Sequence, residues 1–407
     1  EKYTPTATNP TVNLTSNGTV PDLGSPETYI SNKSDLPATG TTPGTTTTYA
    51  WKAGETPTVN NGQVTRTAVV TYPDGSTDIV NVTVKVRKLS DEHEPTATKI
   101  VKNQNDTISN NDLKAAVTIN NNGNSKVRSV TSVGNISTTN AGTQTINATV
   151  TYIDGTTDFV SIPLEVKDIT APTIQTPTDR QNWDLIALDR TLPSIKLTSE
   201  DNTGGTGIKS TTVTGLPDFL VYDNATKTIK FKNGVQEVTK LPAGQDSKIY
   251  NVNIQVTDNS NNSSQRQVTV TVKSMTTKYT ATANSQKQTV SYGQTPNAET
   301  SINKNGLPAG TTYTWRTIPN TTTGPGEKAG VVIVTYPDGS TDLVDVNVDV
   351  RKLSEEHEPT ATKIVKNQND SVSNADLKAA VTISNNGASK VKSVTPVGTI
   401  NTVEAGE

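Results

Sequence analysis

The sequence YPDGSTDIVNVTVKV, residues 72–86, contains the clearest structural signal in this chain of 407 residues. Pro73 presets φ for the first central position of a turn, and Gly75 can take the left-handed φ that closes it. Every second residue from 80 to 86 is valine, and polar residues lie between them. Period-two alternation is typical of a strand with one buried face, so the stretch predicts a β-hairpin.

This hairpin pattern occurs three times in the chain. Residues 336–342 repeat YPDGSTD, and residues 152–158 read YIDGTTD. Short alternating strands separated by turn residues are typical of an all-β sandwich. Further alternating apolar runs lie at residues 160–166, 252–256, 268–272 and 344–350.

The composition excludes several classes of protein. Lys+Arg number 36 and Asp+Glu 39, a net charge of -3, which argues against a nucleic-acid-binding protein. There is no cysteine, so disulfides and thiolate chemistry are excluded. Apolar runs are short, so we expect no membrane insertion within this chain.

Internal repetition predicts the domain organisation. Residues 87–106 and 351–370 differ at one position in twenty, with an offset of 264 residues. One short helix is predicted after Ser109, which can cap it together with Asp112. The predicted modules are A1 (1–90), B1 (91–168), C (169–276), A2 (277–354) and B2 (355–407), the last a truncated copy of B1.

The hairpin and its flanking residues resemble a known family. YPDGSTD followed by alternating valines, with LPAGTTYTW at residues 307–315, closely resembles the Rib/alpha-like repeats of Gram-positive surface proteins. A1 and A2 resemble long Rib domains. B1 resembles a related Rib or bacterial Ig-like domain, but it lacks the proline and has the short helix. GLPDFL at residues 215–220 makes C resemble a cadherin-like or Ig-like module.

The resemblance implies a fold and a location. The expected fold is all-β, with tandem immunoglobulin-like β-sandwiches arranged as an elongated, monomeric rod. The expected location is extracellular and cell wall-anchored, with the anchor outside this chain. LPATG at residues 36–40 spells a sorting motif, but its internal position favours an ordinary loop before a strand.

Module C contains candidate calcium ligands. These are Glu200, Asp201, Asp258 and Asn259, whose oxygen atoms are of the type that calcium prefers. The alternative interpretation is that Asp and Asn fill turns because they hydrogen-bond their own backbone. No other cofactor is expected.

Other chemistry-bearing residues favour structural roles. His93 and His357 lie in equivalent EHEP segments, where they are either metal ligands or a general base, or else solvated linker residues. No nucleophile or orienting acid accompanies them, so we expect no enzyme. Trp51 and Trp315 are expected in module cores rather than on a sugar-stacking surface. Trp183 is either an anchor of the N-terminal strand of C or a contact residue.

Two functions follow from these features. The first is a cell-wall-associated repeat stalk that projects an adhesive domain and contributes to adhesion or biofilm formation. The second is an adhesin module that itself binds a host or cell-surface glycan or protein.

Overall fold

A computed structural model describes residues 2–13, 19, 22–37, 46–404 and 406. These residues form short strands with a few short helices, which confirms the predicted tandem Ig-like β-sandwiches. The chain divides into two compact units. Residues 1–173, 199–211 and 256–264 form unit 1, and residues 174–198, 212–255 and 265–407 form unit 2.

Module A1 is built on a four-stranded sheet in the order β1-β4-β3-β2. Its strands are β1 (Thr11–Asn13), β2 (Thr48–Trp51), β3 (Gln63–Thr71) and β4 (Thr77–Arg87). The alternating valines of β4 turn inward, and Val82 and Val84 are fully buried beneath Leu23 and Tyr29. The hairpin predicted from residues 72–86 is the β3–β4 connection.

Module B1 has the sheet order β6-β10-β9-β8 and a second, two-stranded sheet of β5 and β7. Its elements are α1 (Leu89–Glu92), β5 (Pro95–Ala97), β6 (Ile100–Asn103), α2 (Asn110–Ala116), β7 (Val117–Ile119), β8 (Val127–Ser132), β9 (Gly142–Tyr152) and β10 (Thr157–Lys167). The predicted capping box is confirmed, because Ser109 and Asp112 satisfy each other's backbone N–H groups. Helix α1 was not predicted, because its four residues show no helical periodicity.

Module C has a four-stranded sheet in the order β12-β18-β17-β14, flanked by the pairs β11–β13 and β15–β16. Its strands are β11 (Thr173–Thr176), β12 (Asn182–Ile186), β13 (Thr198–Glu200), β14 (Ile208–Thr214), β15 (Leu220–Asp223), β16 (Thr228–Phe231), β17 (Ser247–Asp258) and β18 (Ser263–Lys273). Trp183 is 6% exposed in β12, which agrees with the anchor interpretation.

Modules A2 and B2 follow in unit 2, where A2 has the sheet order β20-β24-β23-β22. The strands of A2 are β19 (Thr282–Ala283), β20 (Gln288–Val290), β21 (Ile302–Asn303), β22 (Thr312–Thr317), β23 (Gly326–Thr335) and β24 (Thr341–Val350). The elements that follow are α3 (Leu353–Glu356), β25 (Pro359–Ala361), α4 (Asn374–Ala380) and β26 (Val381–Ile383).

One pairing rule is shared by all four large sheets. The first strand of each sheet pairs in parallel with the last strand, as in β1–β4, β6–β10, β12–β18 and β20–β24. Trp51 and Trp315 pack against the A1 and A2 cores, as expected. Their indole N–H groups donate within their own modules, to the carbonyls of Gly24 and Pro296.

Candidate functional site: hairpin joints and an acidic cluster

The three hairpins share one internal geometry. In each, the Asp before the glycine accepts hydrogen bonds through Oδ1 from the backbone N and the hydroxyl of the Ser or Thr two residues on. The two distances are 3.0 and 2.7 Å for Asp74 with Ser76, for Asp154 with Thr156 and for Asp338 with Ser340. The second carboxylate oxygen, Oδ2, takes no part in the hydrogen bonds within the turn. It is available to bind a donor from another segment.

In B1 that donor comes from the connection with A1. The backbone N–H of Leu89 donates to Oδ2 of Asp154 at 2.9 Å, and that of Ser90 donates to Oγ1 of Thr156 at 3.2 Å. The Leu89 side chain is buried in the B1 core. Asp154 is 2% exposed as a result. The connection is therefore part of the folded B1 module.

The connection between C and A2 repeats this arrangement with different residues. The backbone N–H of Met275 donates to Oδ2 of Asp338 at 2.7 Å, and that of Thr276 donates to Oγ of Ser340 at 3.3 Å. Met275 is buried in the A2 core, as Leu89 is in the B1 core. The joint thus needs an apolar residue and two successive N–H groups, rather than one particular sequence.

A second aromatic ring packs against the hairpin tyrosine, at a tilt, in every copy. Ring centroids lie 6.1 Å apart for Tyr3–Tyr72 and for Tyr279–Tyr336, and 5.9 Å apart for His93–Tyr152. His93 is 7% exposed, so the expectation of a solvated linker residue is wrong for it. Its ring occupies the place that a tyrosine takes in A1 and A2, and its Nδ1 atom is buried with no hydrogen-bond partner among the described residues. His357 is half-buried, with Nδ1 3.1 Å from the carbonyl oxygen of Ser384.

Burial and a carboxylate raise the pKa of each hairpin tyrosine. The hydroxyl of Tyr72 donates to Asp78 at 2.8 Å, and burial together with this bond raises the pKa of Tyr72 to about 12. The same two causes raise the pKa values of Tyr152 and Tyr336 further. These tyrosines are therefore neutral donors at physiological pH.

The joint between B1 and C is polar and lies within unit 1. The Gln104 amide donates to the carbonyl oxygens of Thr139, at 2.6 Å, and Thr203, at 2.9 Å. Its own oxygen accepts from Asn202 at 2.7 Å. Gly204 fits against this amide, where an added Cβ would lie 2.4 Å from the Thr139 carbonyl.

Three carboxylates meet beside this joint. Asp168, Asp201 and Asp258 each offer an oxygen within 4.8 Å of the others. Asp168 and Asp258 are 4% and 0% exposed, and Oδ1 of Asp201 is buried with no hydrogen-bond partner in the described part of the chain. Among the described residues, no Lys or Arg forms an ion pair with them. Each carboxylate accepts at least one backbone N–H, from Thr206 to Asp168, from Gly207 to Asp201 and from Asn262 to Asp258. These bonds offset part of the cost of burial, and a cation would offset more.

The structure brings together two of the four predicted calcium ligands. Asp201 and Asp258 belong to the cluster, but Glu200 is exposed at the end of β13. Asn259 is occupied in a loop contact, where its amide donates to the carbonyl of Thr206 at 2.7 Å. Asp168 was not predicted as a ligand. Its only signal in the sequence is the stretch DITAPTI, residues 168–174, at the entry into C.

The described part of LPATG is Leu36 and Pro37, and the remaining three residues lie outside the described ranges. Leu36 is buried in the A1 core. The equivalent LPAG, residues 307–310, turns directly into β22. No described helix has both the length and the apolar composition needed to span a membrane.

Repeated sandwiches, with connections that are built into the following module, define a tandem-repeat protein of Ig-like domains. The "Rib domain" family model matches residues 1–88, 90–168 and 276–352, and the chain belongs to this family. The family described as "Putative Ig domain" matches residues 171–273. The predicted Rib/alpha-like identity is confirmed, and the second module is itself a Rib domain.

Relatives place the chain among repeat-type surface proteins. It is 27% identical over 329 residues to the C protein alpha-antigen of Streptococcus agalactiae serotype Ia, covering 78% of this chain. The match spans 30% of that relative's length. A solved Rib structure from Streptococcus pyogenes is 40% identical, with 19% of this chain and 96% of that one covered (TM-score 0.17).

A second solved structure is the sialic acid binding region of the Streptococcus sanguinis SK1 adhesin bound to 3'sLn. It is 16% identical, with 75% of this chain and 85% of that one covered (TM-score 0.29). Neither the Rib family nor the alpha-antigen is an enzyme family.

Proposed function

We propose that this chain is a stalk region of a cell-wall-anchored bacterial surface protein, which holds an adhesive region away from the wall. The observation that supports the proposal is the joint construction. Leu89 and Met275 each belong to the core of the module that follows them, and each donates its N–H to that module's hairpin. A connection buried in this way restricts the swing of one module about the next. A contribution to adhesion or biofilm formation would follow from that spacing role.

Small-angle scattering on the whole chain tests the stalk. Each sandwich contributes roughly 35 Å of length, so we expect a maximum dimension of roughly 150 Å. Asp154→Ala and Asp338→Ala should make the particle more flexible, while the matched Asp74→Ala change should leave the profile unchanged. A compact particle in the unaltered chain would contradict the proposal.

A second candidate is calcium binding at the joint between B1 and C. We propose that Asp168, Asp201 and Asp258 hold one Ca²⁺, because they fit the ion in charge and in ligand type. The buried, unpartnered Oδ1 of Asp201 is the specific observation in its favour. An added Cβ at Gly205 would lie 2.7 Å from Oδ2 of Asp201, so this loop approaches the carboxylate as closely as a glycine allows. The bound ion would offset the repulsion among three carboxylates.

Isothermal titration with CaCl₂ after treatment with a chelator tests this site. We expect one ion per chain, and saturation at about 100 times Kd would add about 2.7 kcal/mol of stability. Asp201→Asn should abolish binding, while Glu200→Gln, outside the cluster, is the matched control. Equal binding by both variants, or no binding by the unaltered chain, would rule out the site.

A further inference from the structure

The hairpin of A1 has the chemistry of the other two joints, but it is exposed. Asp74 and Ser76 are both exposed, whereas Asp154 is buried and Asp338 is half-buried. The turn itself is unchanged, since Oδ1 of Asp74 accepts the same two bonds from Ser76. No described residue donates to Oδ2 of Asp74. Among the described residues, the two acceptors that bind a connection in B1 and A2 therefore have no such donor in A1.

A cavity of about 630 Å³ lies beside this hairpin. Its lining includes Tyr3, Pro37, Tyr72 and Asp74. In B1 and A2, the side chain beside the corresponding Asp is the buried Leu89 or Met275. The lining also includes Pro73 and polar residues, among them Ser76 and Asp78. The cavity thus combines apolar surface with hydrogen-bond acceptors, as a segment with an apolar side chain and free N–H groups requires.

The spacing within the B1 and A2 joints shows which residue would fill the A1 cavity. Leu89 stands four residues before His93, and Met275 stands four residues before Tyr279, the rings that pack against the hairpin tyrosines. Tyr3 is the equivalent ring in A1. Lys2 also matches Lys278, since their ammonium groups lie 5.5 and 5.4 Å from the rings of Tyr3 and Tyr279. The apolar residue of an A1 joint therefore belongs four positions before Tyr3.

We propose that the A1 hairpin is a docking site for the closing segment of another Ig-like module placed directly before it in a longer chain. The segment presents an apolar residue followed by Ser or Thr, as in Leu89-Ser90 and Met275-Thr276. The first N–H donates to Oδ2 of Asp74 and the second to Oγ of Ser76, while the apolar side chain fills the cavity. This inference rests on the proposed stalk, to which it adds a further joint.

The test adds Ser-Met-Thr before Glu1 of the whole chain, which copies residues 274–276 in register with Tyr3. The chain contains a single methionine, Met275, so the extended protein has two. With ¹³C-methyl methionine, the Met275 signal is an internal reference for a docked side chain. We expect the added methyl signal to leave its random-coil position and to show a nuclear Overhauser contact with the Tyr72 ring.

Two variants of the extended chain complete the test. Asp74→Ala should return the added methyl signal to the random-coil position and speed exchange of the new methionine amide about tenfold. The matched change Asp154→Ala should leave both unchanged. A random-coil signal in the extended chain, or a docked signal that survives Asp74→Ala, would overturn the inference. Small-angle scattering tests the stalk proposal independently. A failed docking experiment would therefore not by itself overturn the stalk.

Discussion

Modules A1 and B1 contain nearly the same hairpin in two different environments. Asp74 of A1 is exposed, while Asp154 of B1 is 2% exposed because Leu89 and Ser90 bind over it. The internal bonds of the two turns have equal lengths. Turn chemistry therefore fixes the hairpin, whereas the connection from the preceding module fixes its burial. The hairpin therefore forms the same turn with or without a bound connection, and the connection only covers it.

The largest expected loss of stability comes from a change in the connection before B1, and the matching change before B2 should have a smaller effect. Leu89→Ala removes a side chain from the B1 core and should destabilise B1 by about 2–4 kcal/mol. Leu353→Ala, in the matching segment before B2, changes a half-buried residue and should cost about 1 kcal/mol or less. Urea unfolding with hydrogen exchange read out on β9 and β10 measures the first loss. Equal losses for the two variants would contradict the buried joint.

The next effect compares the hairpin carboxylates directly. Asp154→Ala leaves the buried N–H of Leu89 without an acceptor and should cost B1 about 2–3 kcal/mol. Asp74→Ala removes only bonds to the exposed Ser76, so A1 should lose less stability than B1 does. Thermal unfolding of each full-length variant checks the order. A larger loss for Asp74→Ala would break the comparison.

The A1 hairpin should also respond to alkaline pH. Burial and the bond to Asp78 raise the pKa of Tyr72 from 10 to about 12, so folding favours the neutral phenol. Its contribution is fully present below pH 10 and is lost as the pH rises from 10 to about 12. Tyr72→Phe should flatten the stability of A1 across that window. A spectrophotometric titration in which the variant and the parent gain the same phenolate absorbance near pH 12 would disprove this assignment.

The smallest effect concerns the residue after the hairpin tyrosine. Pro73 stiffens the unfolded A1 chain, so Pro73→Ile should cost A1 about 0.5 kcal/mol. B1 has Ile153 here, and its N–H donates to the carbonyl of Lys126 at 2.8 Å. Ile153→Pro removes that bond, so it should destabilise B1 rather than stabilise it. The shift of each variant's denaturation midpoint from that of the unaltered chain gives the sign of its stability change.

The sequence predicted what depends on neighbouring residues. Alternation gave the strands of A1, and the spacing of Ser109 and Asp112 gave the cap of α2. Asp168 could not be assigned to the acidic cluster, because its partners Asp201 and Asp258 are distant in the chain. The burial of His93 likewise depends on Tyr152, which lies on another strand. Contacts between residues that are distant in the chain depend on the order of strands in the sheets, and that order cannot be read from one sequence alone.

The parallel pairing of first and last strands has a mechanical consequence. Tension on a module enters through its two chain ends, and it pulls strands such as β1 and β4 in opposite directions along their length. The hydrogen bonds between them are then loaded in shear and must break together, instead of opening one at a time like a zipper. We infer that each complete module resists stretching until a single sharp rupture. Single-molecule pulling on the chain would show this as a sawtooth of discrete force peaks, and a smooth extension would refute it.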